Sequence, residues 1–328
     1  MTIQQLQYAL AVYRAGSISA AAANLFIAQP NLSGVIRALE EELGYSIFVR
    51  TSRGVQPTEQ GMEALRQAAQ IVDCHEKMCR VGTAAPRRRL RMEGISYNPV
   101  CDAFTQLCKE CEGDENLEMA FFADEIDTAL EKLMLSEVDL AVMLRSPEDV
   151  ERTAQLCRQK NLKMTHLTDV PMVLRIGPRH PLYRAPEIRL SDFEKYTMVD
   201  YNARVFLEHP SLSGLLHINQ ERVVTVADRT LKNRLIAETS MYSIGCKLPP
   251  RSNERFGFRC IPLEGLHYSL AILERTDSPR GELAVRYLDL LERYLEDLLE
   301  DTPAGFAKEP RRAFCRGGRT WGAFLRNH

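Results

Sequence analysis

Cysteine is the residue type in this chain whose spacing most invites chemistry. Cys108-x-x-Cys111, with Cys101 one helix repeat earlier, is the sharpest such arrangement. It reads either as a redox pair or as part of a metal site. Zinc takes about four ligands, and no second C-x-x-C or paired histidine lies nearby in sequence. On a helix, Cys101, Cys108 and Cys111 share an apolar face with Phe104, so buried, inert thiols are the preferred reading. The seven histidines, His166, His180 and His209 among them, are scattered without ligand spacing. No glycine-rich phosphate loop, nucleophile elbow or carboxylate pair stands out. The expectation is therefore no enzyme, no metal and no cofactor.

The elements that must position any site begin with helices. Leu6, Ala9, Leu10 and Tyr13 form one apolar stripe. Gly16 stops that helix and Ser17 caps the next, which carries Ile18, Ala21, Ala22 and Leu25. After a break at Ile27–Ala28, a third helix starts near Gln29-Pro30, with Leu32, Ile36, Leu39 and Leu43 inward. Gly44 ends it. Two short helices joined by a tight turn, with another packed in front, make a helix-turn-helix arrangement. The alternating run Tyr45–Arg50, the turn Thr51-Ser-Arg-Gly and the extended Val55–Pro57 predict a small hairpin, a wing.

Thr58-Glu-Gln-Gly61 opens a long helix to about Val81. Met62, Leu65, Ala69, Val72 and Cys79 recur on it by threes and fours, with Glu76 as the flaw. A 3.5 period on a long helix predicts pairing with a second helix. Residues 84–89 read as a linker. From Leu90 strands alternate with helices, which implies an α/β core with parallel sheets. The strands are expected at 90–97, 117–123, 138–143, 171–176, 198–201, 223–227 and 268–273, and the helices at 100–111, 126–135, 230–239 and 282–299. Residues beyond Glu300 read as a tail.

The bulk properties fit this plan. A chain of 328 residues exceeds what one core serves, so two to three domains are expected. The net charge of -2 gives no global basic field, so any attraction for nucleic acid must come from a local patch. No apolar run approaches the roughly 20 residues of a membrane span. The start MTIQQLQYAL lacks signal-peptide features. A cytoplasmic protein is expected, and an odd count of nine cysteines argues against a disulfide framework there.

Between Gln5 and Gly61 the residues Ser17, Ala21-Ala22, Leu25, Gln29-Pro30-Asn31-Leu32-Ser33, Ile36, Leu39-Glu40, Leu43-Gly44, Phe48, Arg50, Arg53 and Thr58-Glu-Gln-Gly61 stand in one pattern. That pattern resembles the winged helix-turn-helix of LysR-type transcriptional regulators. The remainder is more loosely similar to the family's effector domain, through Val138–Val142, Arg179-His-Pro-Leu182, Gly245–Pro249 and Tyr268–Glu274. The resemblance covers about residues 1–300. It implies an N-terminal winged helix-turn-helix (1–61), a linker helix and hinge (58–89), and a two-subdomain, periplasmic-binding-protein-like α/β effector domain (90–300). It further implies that residues 90–166 and 268–300 form one subdomain and 167–267 the other, followed by the tail 301–328. The expected activity is effector-controlled, sequence-specific DNA binding. A thiol-based redox sensor of the same architecture is the alternative, with Cys246 and Cys260 the thiols in the matching region. A solute-binding module without transcriptional role is less favoured.

Two departures from the family pattern matter. Ala28 replaces the usual serine or threonine cap, and Gly34 replaces the usual arginine after Ser33. Each costs ~1 kcal/mol of helix stability. On the third helix, Gln29, Pro30, Asn31, Ser33, Gly34 and Arg37 are expected to face base edges, and Arg50 and Arg53 of the wing to face phosphates or a minor groove. Glu40-Glu41-Glu42 marks the limit of that surface, with Glu40 expected to fix an arginine. About ten basic against seven acidic side chains in residues 1–89 is a modest excess, so avidity of a dimer must add affinity. Met62, Leu65, Ala69 and Val72 are the expected dimer seam, giving homodimers or homotetramers that also contact RNA polymerase. The effector, a small molecule, is expected among residues following strands, Ser96, Tyr97, Asn98, Asp124 and Glu125 from one half and Tyr201, Asn202 and Asp228 from the other, together with Ser243, which belongs to a short strand. Asp124 and Glu125 disfavour a bare anion on their side, which keeps an amine-bearing or neutral ligand open beside an organic anion.

Overall fold

The structure is a computed structural model that describes residues 1–52, 54–80, 88–201, 222–249 and 257–300. Arg53, Asn202, His209, the linker 81–87 and the tail 301–328 lie outside the described residues, as does the side chain of Tyr201.

Helix α1 (Ile3–Ala15) starts at a capping box in which Thr2 and Gln5 exchange side-chain-to-backbone bonds. It ends at Gly16, whose left-handed backbone (φ 60°) suits glycine. Ser17 caps α2 (Ile18–Asn24) by accepting from the Ala20 amide. Helix α3 (Gln29–Leu43) follows, and Ala28 gives it no side-chain cap. Leu6, Ala9, Leu10, Ala21, Ala22, Leu32, Ile36 and Leu39 fill one small core. The hairpin β1 (Phe48–Thr51) and β2 (Gly54–Pro57) pairs antiparallel beside it.

Helix α4 (Glu59–Arg80) is joined to that core by backbone contact. The Thr58 amide donates to the Ile47 carbonyl and its hydroxyl to that of Ser46, 2.7 Å away. A Cβ at Gly61 would sit 1.9 Å from the Ile47 oxygen. That close approach is the physical need behind the Thr-x-x-Gly sequence.

The rest of the chain builds one eight-stranded sheet. In chain order its elements are β3 (Arg88–Glu93), α5 (Asn98–Glu110), β4 (Leu117–Phe122), α6 (Ile126–Met134), β5 (Leu140–Arg145), α7 (Pro147–Gln159) and β6 (Leu162–Ile176). After these come β7 (Met198–Tyr201), β8 (Val223–Val226), α8 (Arg229–Glu238), β9 (Tyr242–Cys246), β10 (Arg259–Arg275) and α9 (Glu282–Glu300). The strand order is β4-β3-β5-β10-β6-β9-β7-β8. Parallel β4, β3 and β5 lie at one side and parallel β9, β7 and β8 at the other. The long antiparallel strands β6 and β10 span both. Their register breaks twice: between Pro262 and His267, where β10 carries extra residues including Gly265 at φ 75°, and between Leu270 and Ala271, where β6 carries Leu167 as the extra residue. No helix among the described residues is long and apolar enough to cross a membrane.

Three differences from the sequence expectation have physical reasons. Helix α7 was not expected. Its buried stripe, Val150, Thr153, Ala154 and Cys157, has helical spacing but is built of small and weakly polar residues. Strands β6 and β10 extend well beyond 171–176 and 268–273, because Thr165, His166, Thr168 and Asp169 interrupt the apolar pattern while still pairing with β10. Arg88 and Arg89, expected in the linker, already belong to β3.

Candidate nucleic-acid interface and cleft

Helix α3 turns its polar N-terminal half outward because Leu32, Ile36 and Leu39 are fixed in the core beneath it. Gln29, Pro30, Asn31, Gly34 and Arg37 are exposed and Ser33 is half-buried. The first turn holds no acidic residue. A Cβ on Gly34 would meet nothing within 4 Å, so this position faces open space. Arg50 is exposed on β1. Among the described residues, neither Arg37 nor Arg50 takes an ion-pair partner. An outward helix start flanked by unpaired guanidinium groups is an arrangement able to enter a groove and bond base edges and phosphates.

The wing is aimed by close backbone contacts. The Val55 amide donates to the Gly16 carbonyl at 2.8 Å, and a Cβ on Gly54 (φ 127°) would stand 2.4 Å from that same oxygen. Among the described residues, Glu40 pairs with backbone amides and with no arginine. Its carboxylate accepts from the Ile47 and Phe48 amides at 2.7 and 3.0 Å, tying α3 to the start of the wing. Glu42 instead pairs with the N-terminal amine.

The dimer seam needs correction. Leu65 and Ala69 are buried within the chain's own core against α1, with Ala68 beside them. Val72 packs on the same core, and Met62 packs on the core between α6, α7 and the sheet. The opposite face of α4 carries exposed Gln67, Ile71, Cys74 and Met78, spaced four, three and four. The 3.5 period is real, but sequence alone did not say which of two stripes the chain uses itself. Contacts from the head to the larger domain include Arg14 to Glu137 at 2.6 Å. Burial and then the neighbouring Glu131 push the Tyr13 phenol up to about 12.

The cleft residues divide into two groups. Asp124 and the buried Glu93 both bond the Lys132 ammonium, at 2.5 Å each. Asp124 is thus engaged in an ion-pair cluster at the ends of β3 and β4, with Glu125 next in chain as the N-cap of α6. Ser96 is exposed in the turn before α5. Tyr97, Asn98, Asp228 and Ser243 fall nearer one another. The Tyr97 hydroxyl donates to the Lys247 carbonyl at 2.9 Å, and Asn98 accepts from Arg229. The start of α5 therefore touches the start of α8, where Asp228 caps the Leu231 amide. Ser243 is fully buried on β9 and its hydroxyl has no hydrogen-bond partner.

Sequence reasoning missed the charged residues beside Ser243. Arg175 lies opposite it on β6 and is 6% exposed. Lys232 on α8 is 7% exposed, and burial, then Arg175, lowers its ammonium to about 7. The available signals were an arginine inside the apolar run Pro171–Ile176 and a lysine four residues before Ile236 on the buried face of α8.

Burial raises Cys101 and Cys108, and raises Cys246 to about 12. Cys111 is buried at the end of α5 and Cys260 is half-buried.

Residues 3–62 match the family described as bacterial regulatory helix-turn-helix protein, lysR family. The nitrogen assimilation regulatory protein nac of Klebsiella aerogenes is 32% identical over 152 residues, 45% of this chain and 50% of that protein. The HTH-type transcriptional regulator AbaB of Streptomyces antibioticus is 32% identical over 184 residues, 55% of this chain and 57% of that protein. The matched part thus spans about half the length of these curated relatives. Among solved structures, ArgP from Mycobacterium tuberculosis superposes with a TM-score of 0.60 at 15% identity, over 93% of this chain and 98% of that one. A full-length OxyR variant from Pseudomonas aeruginosa gives 0.57 at 17% identity, over 91% and 97%. At that identity the two structures establish the shared fold: a winged helix-turn-helix head on an α/β domain.

Proposed function

We propose that the chain is a regulator of the LysR type, whose helix-turn-helix model its residues 3–62 match: a cytoplasmic transcriptional regulator, not an enzyme, that binds specific double-stranded DNA. The observation that carries this reading is the outward, acid-free start of α3, held by Leu32, Ile36 and Leu39 beside a wing that bears Arg50. Gln29 is suited to adenine, Pro30 to a thymine methyl, Ser33 to a base or phosphate, and Arg37 to guanine or phosphate. Asn31 and Gly34 line the same surface, and Arg50 and Arg53 hold the backbone. Fluorescence anisotropy with the DNA upstream of the protein's own gene tests this. A specific complex is expected, and Arg37→Ala should weaken it by ~1–3 kcal/mol, with relaxed preference at one base pair if Arg37 reads guanine.

One head spans too few base pairs, and two must sit about a helical turn apart (~34 Å) or a multiple of it. The proposed partner is a second copy of the chain, in a homodimer or homotetramer that contacts RNA polymerase. Its seam is the Gln67, Ile71, Cys74 and Met78 face of α4, because Ile71 and Met78 are large apolar side chains left in water. The signal is a small ligand between the two ends of the sheet, taken as residues 90–166 with 268–300 and residues 167–267. The topology supports that division, since only β6 and β10 belong to both ends. Ligand binding there changes the angle between the halves and so the spacing of the heads.

A further inference from the structure

Strand β6 puts successive side chains on opposite faces. Val170, Met172, Leu174 and Ile176 enter the main core, so Arg175 points to the other face. Helix α8 covers that face: a Cβ on Gly177 would meet the Ile236 carbonyl oxygen at 2.0 Å. Under α8 the Arg175 guanidinium lies across β9. A Cβ on Gly245 would stand 2.0 Å from it, so the guanidinium fills the space that a side chain at this position would take. Among the described residues its hydrogen bonding amounts to a 3.5 Å contact with the Cys246 carbonyl, and its Nε has no partner. Burial, the largest influence, holds its guanidinium below the ordinary value, and Cys260, Cys246, Arg229 and Tyr97 are the groups that act on its charge most strongly after that.

Lys232 enters the same space from α8. It faces Arg175 from β6, Asp200 from β7, Cys246 from β9 and Arg229 one turn earlier on α8. Among the described residues, the carboxylates of Asp200, beside Lys232, and of Asp102 on α5, beside Arg229, are set against the three cations. Ser243 adds a fully buried hydroxyl with no hydrogen-bond partner. Burying two cations side by side is costly unless something of opposite charge accompanies them. The buried donors converge where α5 and α8 meet through Asn98 and Arg229, at the junction of the two halves.

We infer that Arg175, Lys232 and Ser243 form an oxyanion receptor for the carboxylate of a small organic acid. The inference rests on the proposal that the cleft holds the effector, and names that ligand's class. A planar guanidinium matches a carboxylate through paired N–H donors. Asp124 and Glu125, which argued against an anion, belong to the separate ion-pair cluster around Lys132 and the α6 cap. The depressed Lys232 adds a proton linkage. An anion beside it favours the ammonium form, so binding takes up a proton and weakens as pH rises from about 7.

Acetate is a probe that needs no knowledge of the rest of the ligand. The full-length protein is melted in acetate and in chloride at equal ionic strength, at pH 7 and pH 9. The expected result is a midpoint several degrees higher in acetate at pH 7, with a smaller gain at pH 9. Acetamide should give no gain. Arg175→Met and Lys232→Met should each abolish the acetate gain, and Ser243→Ala should reduce it. Equal midpoints of the wild-type protein in acetate and chloride overturn the inference. So does an unchanged gain in the variants, or failure of both methionine variants to fold, which would make the cations structural. Binding of upstream DNA is measured in parallel without acetate. If the wild type binds DNA but ignores acetate, only the ligand class fails. If it binds no specific DNA, the regulatory reading fails whatever acetate does.

Discussion

The helix-turn-helix head and the cleft solve the same positioning problem in opposite ways. In the head, each exposed polar residue stands a few residues from the apolar one that fixes it: Arg37 follows Ile36, and Asn31 precedes Leu32. Caps, turns and close glycines set the angles locally, and the polar atoms face water until a partner arrives. In the cleft, Tyr97, Arg175, Lys232 and Ser243 come from four elements separated by long stretches of chain, and their polar atoms are already out of water. A readout surface can wait in solvent at little cost. The receptor proposed for the cleft is instead built from groups whose burial leaves them in need of a partner.

The largest expected effect separates the two faces of α4. Leu65→Glu puts an unpaired charge into the core of the head, a loss on the order of several kcal/mol. The head should unfold, read as lost helical circular dichroism and rapid proteolysis. Ile71→Glu on the opposite face should leave the head folded and give monomers by sedimentation. If Leu65→Glu yields folded monomers, the assignment of faces is reversed.

The next effect belongs to the buried lysine. Its folded value near 7 lies below the ordinary 10.5 of a free lysine. The unfolded chain therefore binds more protons between those values, and stability rises with pH across that window. Below about pH 7 the buried cation is charged and its penalty is complete. Lys232→Met should thus stabilise the ligand-free protein more at about pH 6 than at about pH 9.5, by an amount on the order of a few kcal/mol. Equal gains at both pH values would show that Lys232 titrates normally.

This contrast also explains what the sequence revealed. The head was legible almost residue by residue, because Gly16, Ser17, Gly44 and the Thr58–Gly61 run are local instructions readable within one helical turn. The alternation of strands and helices after Leu90 was legible for the same reason. The buried cation site was not, because Arg175 and Ser243 become neighbours only through the β6–β9 pairing. Nor could spacing distinguish the two stripes of α4, since Leu65 and Ile71 both fit a helix seam and only the packing of α1 decides between them. The role of Glu40 was equally hidden, because its partners are backbone amides of the wing rather than a side chain that spacing could suggest.

The smallest predicted effects test how local the head is. Gly34→Ala meets no neighbour and should stabilise α3 by ~1 kcal/mol. Ala28→Ser supplies the missing cap, worth ~1 kcal/mol. Both should raise the melting midpoint of the head and leave the acetate response of the cleft unchanged. A change in that response would mean that head and cleft are coupled even without DNA.

The central claim is that α3 reads DNA through Gln29 at its start and Arg37 two turns on. Competition anisotropy of the full-length protein on the DNA upstream of its own gene, against random duplex, tests it most directly. The predicted result is preference for the upstream DNA, with Arg37→Ala weakening it by roughly ten- to a hundred-fold and Gln29→Ala also reducing it. Full operator affinity in the Gln29→Ala and Arg37→Ala variants, or no preference over random duplex in the wild type, would contradict the account.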